Sequence, residues 1–207
     1  FKSISILSGP SFSNEVSQSL PTAVTLATKH KKDFEKISKL IPNKEFRIYY
    51  SNDLIGTQIG GALKNIYAIA AGIAEGLNLG ENAKSALISR SFAEMTRYAK
   101  KFKADKNTLF GLSGLGDLIL TCSSKNSRNT QFGIKLASSK YDNFLDLLKS
   151  QEVTEGYYTV KAVYNISQKK NIDMPIMESV YNILYKQHDL KEELSNLLSR
   201  PITEEKI

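Results

Sequence analysis

Gly60-Gly61-Ala62-Leu63-Lys64-Asn65-Ile66-Tyr67-Ala68-Ile69-Ala70-Ala71-Gly72-Ile73 is the stretch that decides how the chain is read. It is apolar, rich in small residues, and carries one lysine in its middle. The pattern reads as a helix. Residues three and four apart are neighbours on a helix surface, so Lys64 sits beside Gly60, Gly61, Tyr67 and Ala68. Each interior glycine costs about 1 kcal/mol of helix propensity relative to alanine. Two adjacent glycines therefore point to something lying close against that face. One candidate is a substrate, with Lys64 as general acid or base. The other is a neighbouring helix, with Lys64 reaching water along its own apolar stem. The stretch alone leaves both open.

Outward from this helix the chain changes character on its two sides. Toward the N-terminus, Ser5–Ser8, Ala23–Ala27 and Phe46–Tyr50 read as strands, and Ser13–Leu20 and Asp33–Leu40 as helices. Strand, helix, strand, helix, strand is the grammar of an α/β sheet. It starts abruptly, as the tail of a larger α/β domain would. Beyond residue 51 no strong strand pattern occurs. Ser51 or Asp53 can cap the long helix, and an amphipathic helix at Ala83–Phe102 follows, with Ala86, Leu87, Ser91, Met95 and Tyr98 along one stripe. Further helices are expected at Thr130–Ser138, Phe144–Lys149, Thr159–Lys169, Ile176–Gln187 and Leu190–Leu198. The fold class expected is mostly α. A helical domain at residues 51–207 follows the last α/β units at residues 1–50.

Composition bounds the function. The 207 residues are 41% hydrophobic and 9% aromatic, enough for a real core. Cys122 is the single cysteine, so no internal disulfide can form, and a reducing, cytoplasmic setting is expected. With only His30 and His188 beside it, no metal cluster is visible. No secretory leader is expected from the opening residues. The apolar run is interrupted by Lys64, Asn65 and Glu75, so no membrane span is expected. The net charge of +7 suits an anionic partner. The lysines are dispersed, however, and there is no arginine-rich arm or aromatic-basic nucleic-acid motif. Nucleic acid, a membrane surface and a phosphorylated small molecule are all permitted, but charge dispersed in this way is ordinarily a solvated surface.

Two further segments carry chemistry. Gly111-Leu112-Ser113-Gly114-Leu115-Gly116-Asp117 reads as a glycine-rich loop, more often a turn than a ligand site, and lacks the spacing of a dinucleotide fingerprint. Ser123-Ser124-Lys125-Asn126-Ser127-Arg128-Asn129 is polar and leads into a helix. A helix N-terminus with an arginine suits phosphate; the same residues are also ordinary N-caps.

Ser8-Gly9-Pro10-Ser11-Phe12, Pro21-Thr22-Ala23, Gly60 to Asn65, Gly111 to Asp117, Leu120-Thr121-Cys122-Ser123, Ser127-Arg128-Asn129 and Glu155-Gly156 occur in one order and at one spacing. That ordered set resembles the bacterial-type NAD(P)-dependent sn-glycerol-3-phosphate dehydrogenases over nearly the whole chain. The resemblance implies a Rossmann-type dinucleotide-binding domain followed by a helical substrate-binding domain. It implies interconversion of glycerol 3-phosphate and dihydroxyacetone phosphate with NAD or NADP, supplying phospholipid synthesis. Lys64 matches the catalytic lysine and Asp117 the carboxylate near it. Gly9, Ser11, Ser127, Arg128 and Asn129 match substrate contacts. Ser13, Arg128, Val153 and Glu155 match cofactor-side positions. Ser13 departs from the family's usual alanine, Gln58 from a glutamate and Thr154 from a valine. A homodimer is the oligomer to be tested.

No Gly-x-Gly-x-x-Gly follows an opening strand here. The chain is therefore read as the end of a dinucleotide domain plus the substrate domain, and is expected to be inactive alone. The competing readings are a non-catalytic helical interaction module and, third, a basic nucleic-acid binder. The coexistence of Lys64, Asp117, Arg128 and Asn129 separates the enzyme from both, since a scaffold has no use for all four.

Overall fold

The computed structural model describes residues 3–41, 44–138, 154–202 and 204–205. Two compact units emerge, one of residues 1–61 and 99–120, the other of 62–98 and 121–207.

The first unit holds a three-stranded sheet in the order β1 (Ser5–Ser8), β2 (Thr22–Thr28), β3 (Phe46–Ser51). β2 and β3 are parallel, with Thr22 opposite Phe46 and Ala27 opposite Ser51. Helix α2 (Lys31–Lys39) makes the crossover a parallel pair requires. Its Phe34 meets Tyr50 of β3 edge to face, 5.2 Å between ring centres. β1 runs antiparallel to β2, Ser5 opposite Thr28, and the short α1 (Ser13–Ser17) lies between them in sequence. β2 is the central strand and is buried almost throughout, which is why it reads Ala-Val-Thr-Leu-Ala without alternation.

Helix α3 (Leu54–Gly76) starts in this unit. Of the two capping candidates, Asp53 serves: its Oδ1 accepts the Gly56 N–H at 2.9 Å, and its Oδ2 accepts the Asp105 N–H at 2.9 Å. Ser51 instead accepts the Asp53 N–H. A short helix α5 (Lys106–Phe110), capped by Asp105, was not legible in the pattern. The glycine-rich segment is no open loop. Leu112–Gly116 forms one wide π-turn that runs straight into α6 (Asp117–Ser123).

The second unit is helical. It contains the rest of α3, most of α4 (Gly80–Lys101), α7 (Arg128–Ser138), α8 (Glu155–Lys170), α9 (Pro175–Lys186) and α10 (Leu190–Leu198). Its core is built on Leu63, Ile66, Tyr67, Ile69, Met95, Phe132, Val160 and Met177. Of the stripe expected along α4, Leu87 is half-buried and Ser91, Met95 and Tyr98 are buried. Ala86 is exposed, whereas residues 91–96 are buried on every side. The second half of α4 is a core helix, and one stripe does not describe it. The helix expected at Phe144–Lys149 lies outside the described residues.

Candidate active site

In the helical unit α3 and α7 cross along a seam of small residues. A Cβ on Gly72 would overlap the Thr130 carbonyl, and one on Gly133 would overlap the Ile69 carbonyl. One turn further, Gly76 faces Ala137. This close approach brings the start of α7 against Asn65, the residue after Lys64. Asn129 donates from Nδ2 to Asn65 Oδ1 at 3.1 Å, and its own Oδ1 accepts the Gly156 N–H at 3.0 Å. Asn65 Nδ2 donates to Glu155 Oε2 at 3.2 Å. Three helices are thus joined by two asparagines. Gly156 must be glycine for the same reason: a Cβ there would lie 2.6 Å from the Asn65 carbonyl oxygen and 2.7 Å from Asn129 Oδ1.

On the rim of this buried network two charges face water. The side chain of Arg128 is 80% exposed and that of Glu155 69%, with 3.5 Å between Nη2 and Oε1. An ion pair so exposed contributes little to stability, so the guanidinium is available to an anion. Ser127 is buried and acts as the α7 N-cap, accepting the Thr130 N–H at 3.2 Å. Thr130 in turn donates its hydroxyl to the Thr121 carbonyl at 2.7 Å. Lys64 is half-buried on α3. Val153 lies outside the described residues.

The sheet unit holds the other expected positions. Gly9 ends β1 at φ +148°, a conformation that L side chains rarely adopt. A Cβ there would also press to 3.0 Å from the Val24 Cα. Ser11 donates its hydroxyl to the Gly9 carbonyl at 3.0 Å. Ser13 opens α1, exposed. Asp117 opens α6 and is buried. A carboxylate in the first turn of a helix is favoured by the helix dipole.

Of the two kinds of close neighbour left open for the Gly60 face, the one found is protein backbone. The face leaves no room for a substrate, because the Ser113–Gly114 backbone fills it and a Cβ would overlap the Ser113 carbonyl. The Gly60–Gly61 pair admits the π-turn and, at Gly61, approaches Ser8 Oγ.

A family model described as NAD-dependent glycerol-3-phosphate dehydrogenase C-terminus matches residues 53–195. The chain belongs to this family. Curated relatives of the family agree. Glycerol-3-phosphate dehydrogenase [NAD(P)+] of Solidesulfovibrio magneticus is 46% identical over 201 residues, 97% of this chain and 60% of that protein. The enzyme of the same name from Colwellia psychrerythraea is 44% identical over 96% of this chain and 59% of its own length. The crystal structure of glycerol-3-phosphate dehydrogenase from Coxiella burnetii superimposes with a TM-score of 0.89 at 38% identity, covering 96% of this chain and 61% of that one. The glycerol-3-phosphate dehydrogenase of Saccharomyces cerevisiae gives 0.81 at 27% identity, covering 94% of this chain and 59% of that one. The chain therefore spans about 60% of the length of the glycerol-3-phosphate dehydrogenases it matches. The mostly helical architecture with a small sheet is that of this family.

Asn65 is the residue that motif reading passed over. It stood beside Lys64 in the quoted segment, yet only the fold shows that it ties α3 to Asn129 and Glu155. No described helix is long and apolar enough to cross a membrane.

Proposed function

We propose that this chain is the substrate-binding and catalytic part of an oxidoreductase that interconverts sn-glycerol 3-phosphate and dihydroxyacetone phosphate with NAD or NADP, supplying glycerol 3-phosphate for phospholipid synthesis. The observation that carries the reading is the Asn65–Asn129–Gly156 network. It holds an exposed arginine at the start of α7 and fixes the helix turn that bears Lys64. A phosphate-binding cation and an acid-base group are what this substrate needs.

In this reading Arg128 takes the phosphate through charge-assisted hydrogen bonds, with Ser127 and Asn129 completing the contact. Gly9 and Ser11 are the substrate contacts contributed after β1. Lys64 gives its proton to the C2 ketone oxygen as that carbon is reduced, and takes it back from the C2 hydroxyl in the reverse direction. Asp117 is the acidic member of the catalytic set. Ser13, Arg128, Val153 and Glu155 are the cofactor-side residues. The exposed guanidinium and carboxylate of Arg128 and Glu155 suit a phosphate and a ribose hydroxyl, and Thr154 beside them keeps a buried hydroxyl without a hydrogen bond. The nicotinamide group, when bound, supplies the hydride. Residues 1–50 would complete the dinucleotide-binding domain and 51–207 form the substrate domain. A homodimer in the cytoplasm completes the proposal; sedimentation of the intact protein tests the dimer.

The experiment compares two variants of the intact protein. Lys64→Met keeps the stem and removes the ammonium. General acid-base groups contribute about 10²–10⁴-fold, so kcat falls by that order while cofactor affinity holds. Arg128→Ala instead raises KM for dihydroxyacetone phosphate and weakens discrimination against unphosphorylated dihydroxyacetone. If Lys64→Met leaves kcat near wild type while cofactor affinity collapses, Lys64 binds and does not transfer the proton.

A further inference from the structure

Glu94 is a carboxyl group in the middle of the core, 1% exposed. Its Oε1 accepts the Ile176 N–H at 2.6 Å. Its Oε2 accepts the Met177 N–H at 3.2 Å and the Tyr67 hydroxyl at 3.4 Å. These are the first amides that α9 has to offer, since Pro175 carries no N–H and the Met174 side chain caps nothing. Glu94 of α4 thus caps α9 from outside and reaches α3 through a long hydrogen bond from Tyr67. Tyr67 is fully buried and lies one turn beyond Lys64.

The position of Tyr67 on α3 matters. A helix turns about 100° per residue. Asn65 therefore lies about 100° to one side of Lys64, and Tyr67 about 60° to the other. Asn65 is held by Asn129 and Glu155; Tyr67 is held by Glu94. The two polar tethers flank Lys64 in azimuth, so together they fix the rotation of α3 about its axis.

We propose that Glu94 is a positioning residue for Lys64, acting through Tyr67, and that its ionisation state sets how firmly this turn of α3 is held. The inference rests on the role given to Lys64 above. Ionised, Glu94 accepts from both amides and from Tyr67. Protonated, it exchanges the charge-assisted bond to Tyr67 for a weaker neutral one and loses part of its hold on the amides, so the tether on α3 slackens with the cap on α9. Burial pushes its pKa up to about 7, while the two amides and Arg97 pull it down and Asp173 pushes it up. Among the described residues, the charged or titratable groups acting on the Glu94–Tyr67 pair are Arg97 from α4, Asp173 from the segment before α9, and Cys122 of α6, which acts on Tyr67. The response is therefore expected near neutral pH.

The test needs no turnover. Lysines of the intact protein are ¹³C-dimethylated and followed by NMR against pH, Lys64 being assigned by its loss in Lys64→Arg. The Lys64 signal should show an inflection at about pH 7. Glu94→Gln should abolish it. Tyr67→Phe should abolish it too while the Ile176 amide still titrates, and should lower kcat on the order of 10²-fold with KM unchanged. An inflection absent from the wild type, or persisting in Tyr67→Phe, overturns the proposal. An intact protein without dehydrogenase activity would sink the functional reading, and the Lys64 signal would still decide this one.

Discussion

Gly133→Ala sets two known effects against each other. In an exposed helix the change should stabilise, since alanine gains about 1 kcal/mol of propensity over glycine. At Gly133 the added Cβ would overlap the Ile69 carbonyl and sit 2.9 Å from the Gly72 Cα. Overpacking of this kind costs about 1–3 kcal/mol. Both opposing atoms are backbone, so no side chain can swing away and the upper end applies. The net is a loss of about 2 kcal/mol. The helices must part to admit the methyl, and the Asn129–Asn65 bond, already 3.1 Å, lengthens with them. Urea denaturation of the intact protein measures the first effect, and kcat of the same sample measures the second. Gly72→Ala strains the same contact, so the double variant should lose less than the sum of the two. A Gly133→Ala midpoint equal to or above wild type would refute the seam as the device that sets the site.

Asn129→Ala strands the Gly156 N–H in the interior and removes the partner of Asn65, so stability should drop by about 2 kcal/mol; a change within 0.5 kcal/mol, as roughly expected of a surface substitution, would contradict the network. Glu94 sits at about 7 when folded against an ordinary 4.5. A raised carboxyl pKa means the folded state keeps its proton longer, so the stability it confers is complete below pH 4.5 and lost as pH rises through about 7. The stability difference between wild type and Glu94→Gln should therefore change by about 3 kcal/mol across that window; parallel curves would show that Glu94 does not titrate there. The 207-residue chain assayed alone with NADH or NADPH should show negligible turnover, because it holds no Gly-x-Gly-x-x-Gly turn to seat a pyrophosphate. Robust turnover by the pure chain would sink that expectation.

Local signals were read well where the cause is local. Leu190–Leu198 was placed to the residue, because Asp189 caps it and accepts from the Lys191 and Glu192 amides. Ser5–Ser8 was equally plain, but its antiparallel pairing with β2 was not, since a strand's residues do not state its direction. The glycines misled. In Gly111–Gly116 they signalled a loop, whereas Gly114 is needed because its Cβ would overlap the Leu109 carbonyl where the wide π-turn passes α5. Lys64, Ser127, Arg128 and Asn129 were named from motif spacing. The work of Asn65 and Glu94 was invisible because each depends on partners far along the chain, 27 residues away at the least.

Helices α8 and α9 of the helical unit share an unusual dependence. Neither Thr154 at the head of α8 nor Met174 at the head of α9 caps its own helix with its side chain. Asn129 of α7 and Glu94 of α4 supply those ends instead. Pro175 and the first-turn Glu155 and Glu178 favour a helix at these points, but the leading amides bonded by Asn129 and Glu94 find those partners only once α7 and α4 are docked. The ends of α8 and α9 are therefore finished by tertiary contacts rather than by their own side chains.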